Sequence, residues 1–143
     1  DYITHELKKI LIPESLPQGI VHVDIKEENI LFKNGELVGL LDFDNSYRDA
    51  FIIDIGSCFA WLCITKKQLD PKKATAFLDG YESIRKLSRE EKSHIITALK
   101  FNLLKQAFKY AYICLPKKAF AEKMAYQFLD IYRNLERQES SFI

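Results

Sequence analysis

The sequence is short of several things that would place it in a class at once. It has three cysteines, Cys58, Cys63 and Cys114, in 143 residues. An odd number, without a C-x-x-C pair or framework spacing, excludes a disulfide-stapled secreted domain and leaves no closely spaced thiols for tetrahedral zinc. The histidines, His5, His22 and His94, are too scattered to form a metal motif. Glycine is scarce, and Gly19, Gly35, Gly39, Gly56 and Gly80 never fall in a G-x-G arrangement, so these residues hold no glycine-rich phosphate loop. A surplus of either charge is missing too: 21 Lys and Arg against 20 Asp and Glu leave +1. That balance offers no electrostatic argument for nucleic acid or an anionic membrane as partner. The mostly apolar run Phe51 to Ile64 falls short of the ~20 residues a membrane span needs and carries Asp54, so it reads as a buried helix. With no basic-then-apolar leader and with thiols expected to be reduced, the predicted location is the cytoplasm.

What is present builds a core. Apolar types make up 48% of the chain and aromatics 13%, enough for one globular domain and too much for a disordered one. Ile3, Leu7, Ile10 and Leu11 predict a helix over 2–11, ended by Pro13. Pro71 suits the first turn of a helix whose inner face is Ala74, Phe77, Leu78, Tyr81 and Ile84. Gly80 costs that helix about 1 kcal/mol relative to Ala, which predicts a close packing neighbour there. Ser88 and Glu91 form a capping box. The helix it opens runs toward Tyr112 with two stripes, Ile95-Leu99-Leu103-Ala107-Ala111 and Phe101-Leu104-Phe108-Tyr112, and so is sandwiched between others until Pro116 stops it. From Lys117, the residues Phe120, Met124, Phe128, Ile131 and Leu135 mark a last amphipathic helix. The stretches 42–49 and 65–70 read as polar connections. The fold class predicted is α+β, mainly helical.

The chemistry concentrates in His22-Val23-Asp24-Ile25-Lys26-Glu27-Glu28-Asn29 and in Leu41-Asp42-Phe43. Between them, Asn34-Gly35 separates two apolar runs, the strongest short hairpin signal, because both turn residues need positive φ. A hairpin over 30–41 returns Asp42 to the neighbourhood of Asp24 and Asn29. Asp24, on a loop, is placed to accept a proton from a substrate hydroxyl. Asn29 and Asp42 supply a neutral and a charged oxygen for Mg2+, which keeps several waters and needs few protein ligands. A base and two such ligands are the minimum for holding a nucleoside triphosphate for in-line transfer.

The spacing H-x-D-x-x-x-x-N followed by L-D-F resembles the catalytic loop and metal-binding Asp of the aminoglycoside phosphotransferase and choline kinase superfamily. The resemblance implies a protein-kinase-like C-terminal lobe with a small β-hairpin carrying the catalytic loop. It implies Asp24 as catalytic base, Asn29 and Asp42 as Mg2+ ligands, and His22 as a structural member of the loop. Asp54-Ile55-Gly56 matches a D-I-G whose Asp bonds the catalytic-loop backbone. ATP and Mg2+ follow as cofactors and a small molecule as substrate. An upstream nucleotide-binding lobe of the same protein is expected beyond these residues, making 1–143 the C-terminal, catalytic and substrate-binding lobe; alone it is expected to be inactive.

Two further stretches are similar to type II homoserine kinases: Ser15-Leu16-Pro17-Gln18-Gly19-Ile20-Val21-His22-Val23-Asp24, and Phe77 to Glu91 with its Gly80-Tyr81 and Arg85-Lys86-Leu87. Departures are Asp44 after Asp42-Phe43, and Lys100-Phe101-Asn102-Leu103-Leu104-Lys105 where that family often has R-F-W-L-S-R. The implied acceptor is homoserine. Its carboxylate would need Arg48, Lys100 or Lys105, and its ammonium Asp44 or Asp49. The competing possibilities are a choline- or aminoglycoside-type kinase, with Asp44, Asp49, Tyr47 and Phe43 around a cationic amine, and a non-catalytic binding domain that keeps the fold.

Overall fold

The computed structural model describes residues 2–113 and 118–140. The chain runs α1 (Tyr2–Leu7), β1 (Gln18–Val21), a 3₁₀ turn (Glu27–Asn29), β2 (Ile30–Lys33), β3 (Glu36–Leu40), β4 (Tyr47–Ala50) and α2 (Ile52–Leu62). It continues with β5 (Ile64–Thr65), β6 (Gln68–Leu69), α3 (Pro71–Ile84), α4 (Arg89–Ser93), α5 (Ile95–Phe108), a π turn (Lys109–Ile113) and α6 (Lys118–Ser140). The architecture is mainly helical with three two-stranded antiparallel sheets, β1–β4, β2–β3 and β5–β6.

The centre is α5, packed against α1, α2 and α6. Leu99, Leu103 and Leu104 on it are fully buried and meet Ile55 and Phe59 of α2 and Phe128 and Ile131 of α6. The expected sandwich is therefore present. Gly56 explains how close α2 and α5 come: a Cβ there would lie 2.5 Å from the carbonyl of Ala98. Asn102 uses the proximity, its Nδ2 donating to Ile53 O at 3.0 Å across the interface. The close neighbour expected at Gly80 is not found, since nothing lies within 4 Å of a Cβ at that exposed position.

The Asn34-Gly35 hairpin forms with φ of 52° and 81°, and Phe32 pairs with Leu37 after a bulge. Two segments expected as polar connections contain strands. Tyr47–Ala50 pairs with β1 in the register Val21↔Tyr47 and Gln18↔Ala50. Lys66 and Lys67, at φ 51° and 61°, turn the short β5–β6 hairpin. Neither could be seen locally: a four-residue pairing is decided by its partner, and two lysines carry none of the usual turn chemistry.

Helix ends also differ. α1 stops at Leu7, short of the predicted 11. The capping box is present in both directions, Glu91 N–H to Ser88 Oγ at 3.1 Å and Ser88 N–H to Glu91 Oε2 at 2.9 Å. Yet the helix breaks at His94, whose ring Nδ1 lies 2.9 Å from the Glu90 carbonyl that the Ser93 hydroxyl also bonds. Side chains competing for that carbonyl separate α4 from α5. Ile84, Tyr112 and Phe120, read as stripe members, are exposed. Cys58 and Cys63 are buried free thiols. Cys114, the stop at Pro116 and the start at Lys117 lie outside the described residues.

Candidate active site

β1 delivers the chain to His22, and the backbone then turns through a conformation that Val resists. Val23 has φ 61°. A β-branched residue there costs on the order of 1–2 kcal/mol and persists only where its surroundings enforce it. Three hydrogen bonds enforce it. Asp54, in the first turn of α2, accepts the backbone N–H of His22 at 2.8 Å on one oxygen and that of Val23 at 2.7 Å on the other. Ser57, one turn on, donates to Val23 O at 3.0 Å. Asp54 and Ser57 share a helix face by their spacing of three. The Val23 side chain is itself buried against Val21 and Ile53.

His22 is buried, and both ring nitrogens meet backbone: Nε2 lies 2.8 Å from Leu41 O, and Nδ1 accepts the Asp24 N–H at 3.3 Å. The carbonyl fixes the tautomer with hydrogen on Nε2. The ring also stands edge-on to Phe43, with centroids 4.6 Å apart. So the imidazole ties the start of the loop to both neighbours of Asp42. Leu41 N–H bonds Asn29 O at 2.9 Å and closes the return of the hairpin. Asp42 itself is exposed, with φ 64°, a conformation that Asp tolerates.

Asp24 and Asn29 are both buried. Asn29 Nδ2 donates to Asp24 O at 2.8 Å and to Asp24 Oδ2 at 3.3 Å. With the amide nitrogen facing Asp24, Oδ1 is the atom left for another partner, and an amide oxygen suits a hard cation. Among the described residues no group of three or more His, Cys, Asp or Glu is placed to hold a metal. Asn29 and Asp42 would offer one amide and one carboxylate oxygen, a donor set suited to a Mg2+ whose other ligands are water and phosphate. Lys26 Nζ reaches Asp24 Oδ2 at 3.0 Å and lies 5.5 Å from the Trp61 ring centre. Burial works against the Lys26 charge, but the bond to Asp24 prevails and its pKa rises above the ordinary lysine value.

Asp24 opens on a cavity of ≈ 420 Å³ whose polar lining includes Asn45, Tyr47, Lys105, Gln106 and Lys109. Burial, reinforced by Asp49, pushes the Tyr47 phenol up to about 12. Burial and then the neighbouring Lys109 lower the Lys105 pKa, while Asp54, Asp24 and Asp49 oppose that shift. Of the five residues suggested for the acceptor, Lys105 lines this cavity. Lys100 does not: it pairs with Glu136 and faces a separate crevice between α1, α5 and α6. Arg48 is exposed on β4 opposite Ile20, Asp49 Oδ1 accepts the Ala50 N–H at 2.7 Å, and Asp44 is exposed. Lys26, Asn45, Gln106 and Lys109 went unnoticed in the sequence. A signal existed for Lys109, which shares a helical face with Lys105 four residues earlier; Asn45 had none.

Asn29 thus meets Asp24 directly, and the Leu41 N–H to Asn29 O bond brings the hairpin back beside them. Comparison with known proteins identifies the family. Residues 5–87, more than half of the chain, match the model of the phosphotransferase enzyme family, and the chain belongs to that family. Its curated relatives include homoserine kinases. That of Polaromonas naphthalenivorans is 32% identical over 108 residues, 64% of this chain and 34% of the relative. That of Chelativorans sp. is 32% identical over 117 residues, 78% of this chain and 35% of the relative. That of Beijerinckia indica is 41% identical over 80 residues, 55% of this chain and 25% of the relative. The chain thus matches about a quarter to a third of the length of these relatives. Among the described residues no helix is long and apolar enough to cross a membrane.

Proposed function

We propose that the chain forms the catalytic and acceptor-binding lobe of an ATP- and Mg2+-dependent kinase that phosphorylates the side-chain hydroxyl of homoserine. The observation that carries this reading is the cavity that Asp24 and Lys105 share. Lys105 makes no ion pair among the described residues. A half-buried ammonium without a carboxylate suits a ligand that brings one. The homoserine kinases among the relatives support the same acceptor. Choline brings no carboxylate to meet Lys105, which weighs against it as the acceptor.

In the reaction proposed, Asp24 accepts the proton of the acceptor hydroxyl. The freed oxygen pair forms a bond to the terminal phosphorus of ATP, the bond from that phosphorus to the bridging oxygen breaks, and ADP leaves with the electron pair. Lys26 and Asn29 orient the Asp24 carboxylate and hold its charge in place. Asn29 Oδ1 and the Asp42 carboxylate would hold Mg2+, which when bound neutralises phosphate charge. His22 and Asp54 shape the loop. The nucleotide-binding lobe lies outside residues 1–143 in this reading. The apolar face of the β2–β3 hairpin, where Phe32, Leu37 and Val38 are exposed, is available to meet it.

The test is ADP release by the full-length protein with homoserine and with choline. Homoserine is expected to win by about 100-fold or more in kcat/KM, since choline leaves the cavity cation unpaired. Asp24→Asn is expected to lower kcat by about 10²–10⁴ with the melting temperature retained. A preference for choline overturns the acceptor, and full activity of Asp24→Asn overturns the mechanism.

A further inference from the structure

We infer that Gln106 determines specificity by accepting a hydrogen bond from the amino group of the acceptor; the inference rests on the homoserine reading above. Gln106 lines the Asp24 cavity yet is only 4% exposed, and its Oε1 is buried without a hydrogen-bond partner. A buried amide oxygen left unpaired is costly, and such atoms in folded proteins are as a rule met by water or ligand. The missing partner must be a donor. Lys105, the preceding residue on α5, lines the same cavity.

A cation and a neutral acceptor side by side match the adjacent carboxylate and ammonium of an α-amino acid. The neutrality of the amide matters. An Asp or Glu at 106 would pair with Lys105 or Lys109 and take the cation that the carboxylate needs. An amide attracts the ammonium without that competition. Asp24, on the same cavity, and Asp49, whose charge acts on Lys105, offset the repulsion between the two lysines and the incoming ammonium.

The experiment compares the full-length wild type with Gln106→Leu and Gln106→Met, using homoserine, 4-hydroxybutyrate (which lacks the amine), 3-aminopropan-1-ol and propan-1-ol. Both variants are expected to keep the melting temperature, because each removes an unpartnered oxygen. Either one is expected to raise KM for homoserine about tenfold or more while kcat stays within about threefold. For 4-hydroxybutyrate both parameters should stay within about threefold, so its disadvantage against homoserine shrinks. If both acids shift by one common factor, or neither shifts, the assignment of Gln106 is overturned. If the wild type prefers 3-aminopropan-1-ol to homoserine, the homoserine reading fails. Gln106 is then judged by the same ratio between that alcohol and propan-1-ol. Absence of transfer to all four alcohols overturns both.

Discussion

The carboxylate of Asp54 accepts the backbone N–H of Val23 at 2.7 Å, across 31 residues of sequence, and holds Val23 at φ 61°. With its second oxygen on His22 N–H, it sets the backbone from which Asp24 projects. Asp54→Ala is expected to cost about 1–3 kcal/mol by stripping both donors of their acceptor. The melting temperature should drop by several degrees and kcat should fall with it. An unchanged melting curve would remove Asp54 from this role.

Val23 itself offers an inverted comparison. At most positions Gly is less stable than Ala by about 0.5–1 kcal/mol. Here both substitutions lose buried apolar carbon, but Ala keeps a Cβ in the left-handed region and Gly does not. Relief of about 1 kcal/mol or more is expected for Gly. Urea denaturation should therefore rank Val23→Gly at least as stable as Val23→Ala. Finding Ala clearly the more stable would show that the positive φ is not maintained against strain.

Two glycines in helices should respond oppositely to Ala. At Gly56 the new methyl would meet the Ala98 carbonyl at 2.5 Å and the Leu99 nitrogen at 2.8 Å, and backbone cannot swing away. Separation of α2 from α5 is expected to cost about 1–3 kcal/mol or more. At Gly80 the methyl meets nothing within 4 Å. Gly80→Ala should stabilise the protein by about 0.5–1 kcal/mol. Thermal melts of the two variants decide both claims, and a destabilised Gly80→Ala would indicate a contact on that face.

Glu91 sets a pH dependence of stability. Burial alone would raise its pKa, but the Ser88 backbone N–H and the Arg85 guanidinium, 2.6 Å away, lower it below the ordinary 4.5. A carboxyl with a depressed folded-state pKa stabilises fully above its unfolded value. That stabilisation is lost as pH falls from about 4.5 through the lower folded value. Between pH 7 and pH 3, Glu91→Gln should therefore lose less stability than the wild type, measured as urea midpoints. Parallel losses would show that the carboxylate is not preferentially held in its charged form.

Much of this was legible from residue pattern. The Asn34-Gly35 turn, the Ser88–Glu91 box, the Pro71 start and the buried stripes of α5 each rest on local stereochemistry that travels with the sequence. The strand at Tyr47–Ala50 did not show, because its pairing with Gln18–Val21 is long-range. The break at His94 did not show either, since it depends on which side chain reaches the Glu90 carbonyl first. A close neighbour was expected at Gly80, which is open, while Gly56, for which none was expected, faces another backbone.

By itself the sequence determined most of the helices, the Asn34-Gly35 turn, the Ser88–Glu91 cap and the loop that carries Asp24 and Asn29, because spacing and backbone chemistry act over a few residues. The tertiary structure alone decided which of Lys100 and Lys105 shares the Asp24 cavity. Lys100 and Lys105 lie five residues apart on α5, about 140° around a helix of 3.6 residues per turn. One therefore turns to Glu136 and the other to the cavity. That division depends on how α5 is rotated between α2 and α6, and the rotation is set by core packing around Gly56, Leu99 and Leu103, not by any property of the lysines themselves.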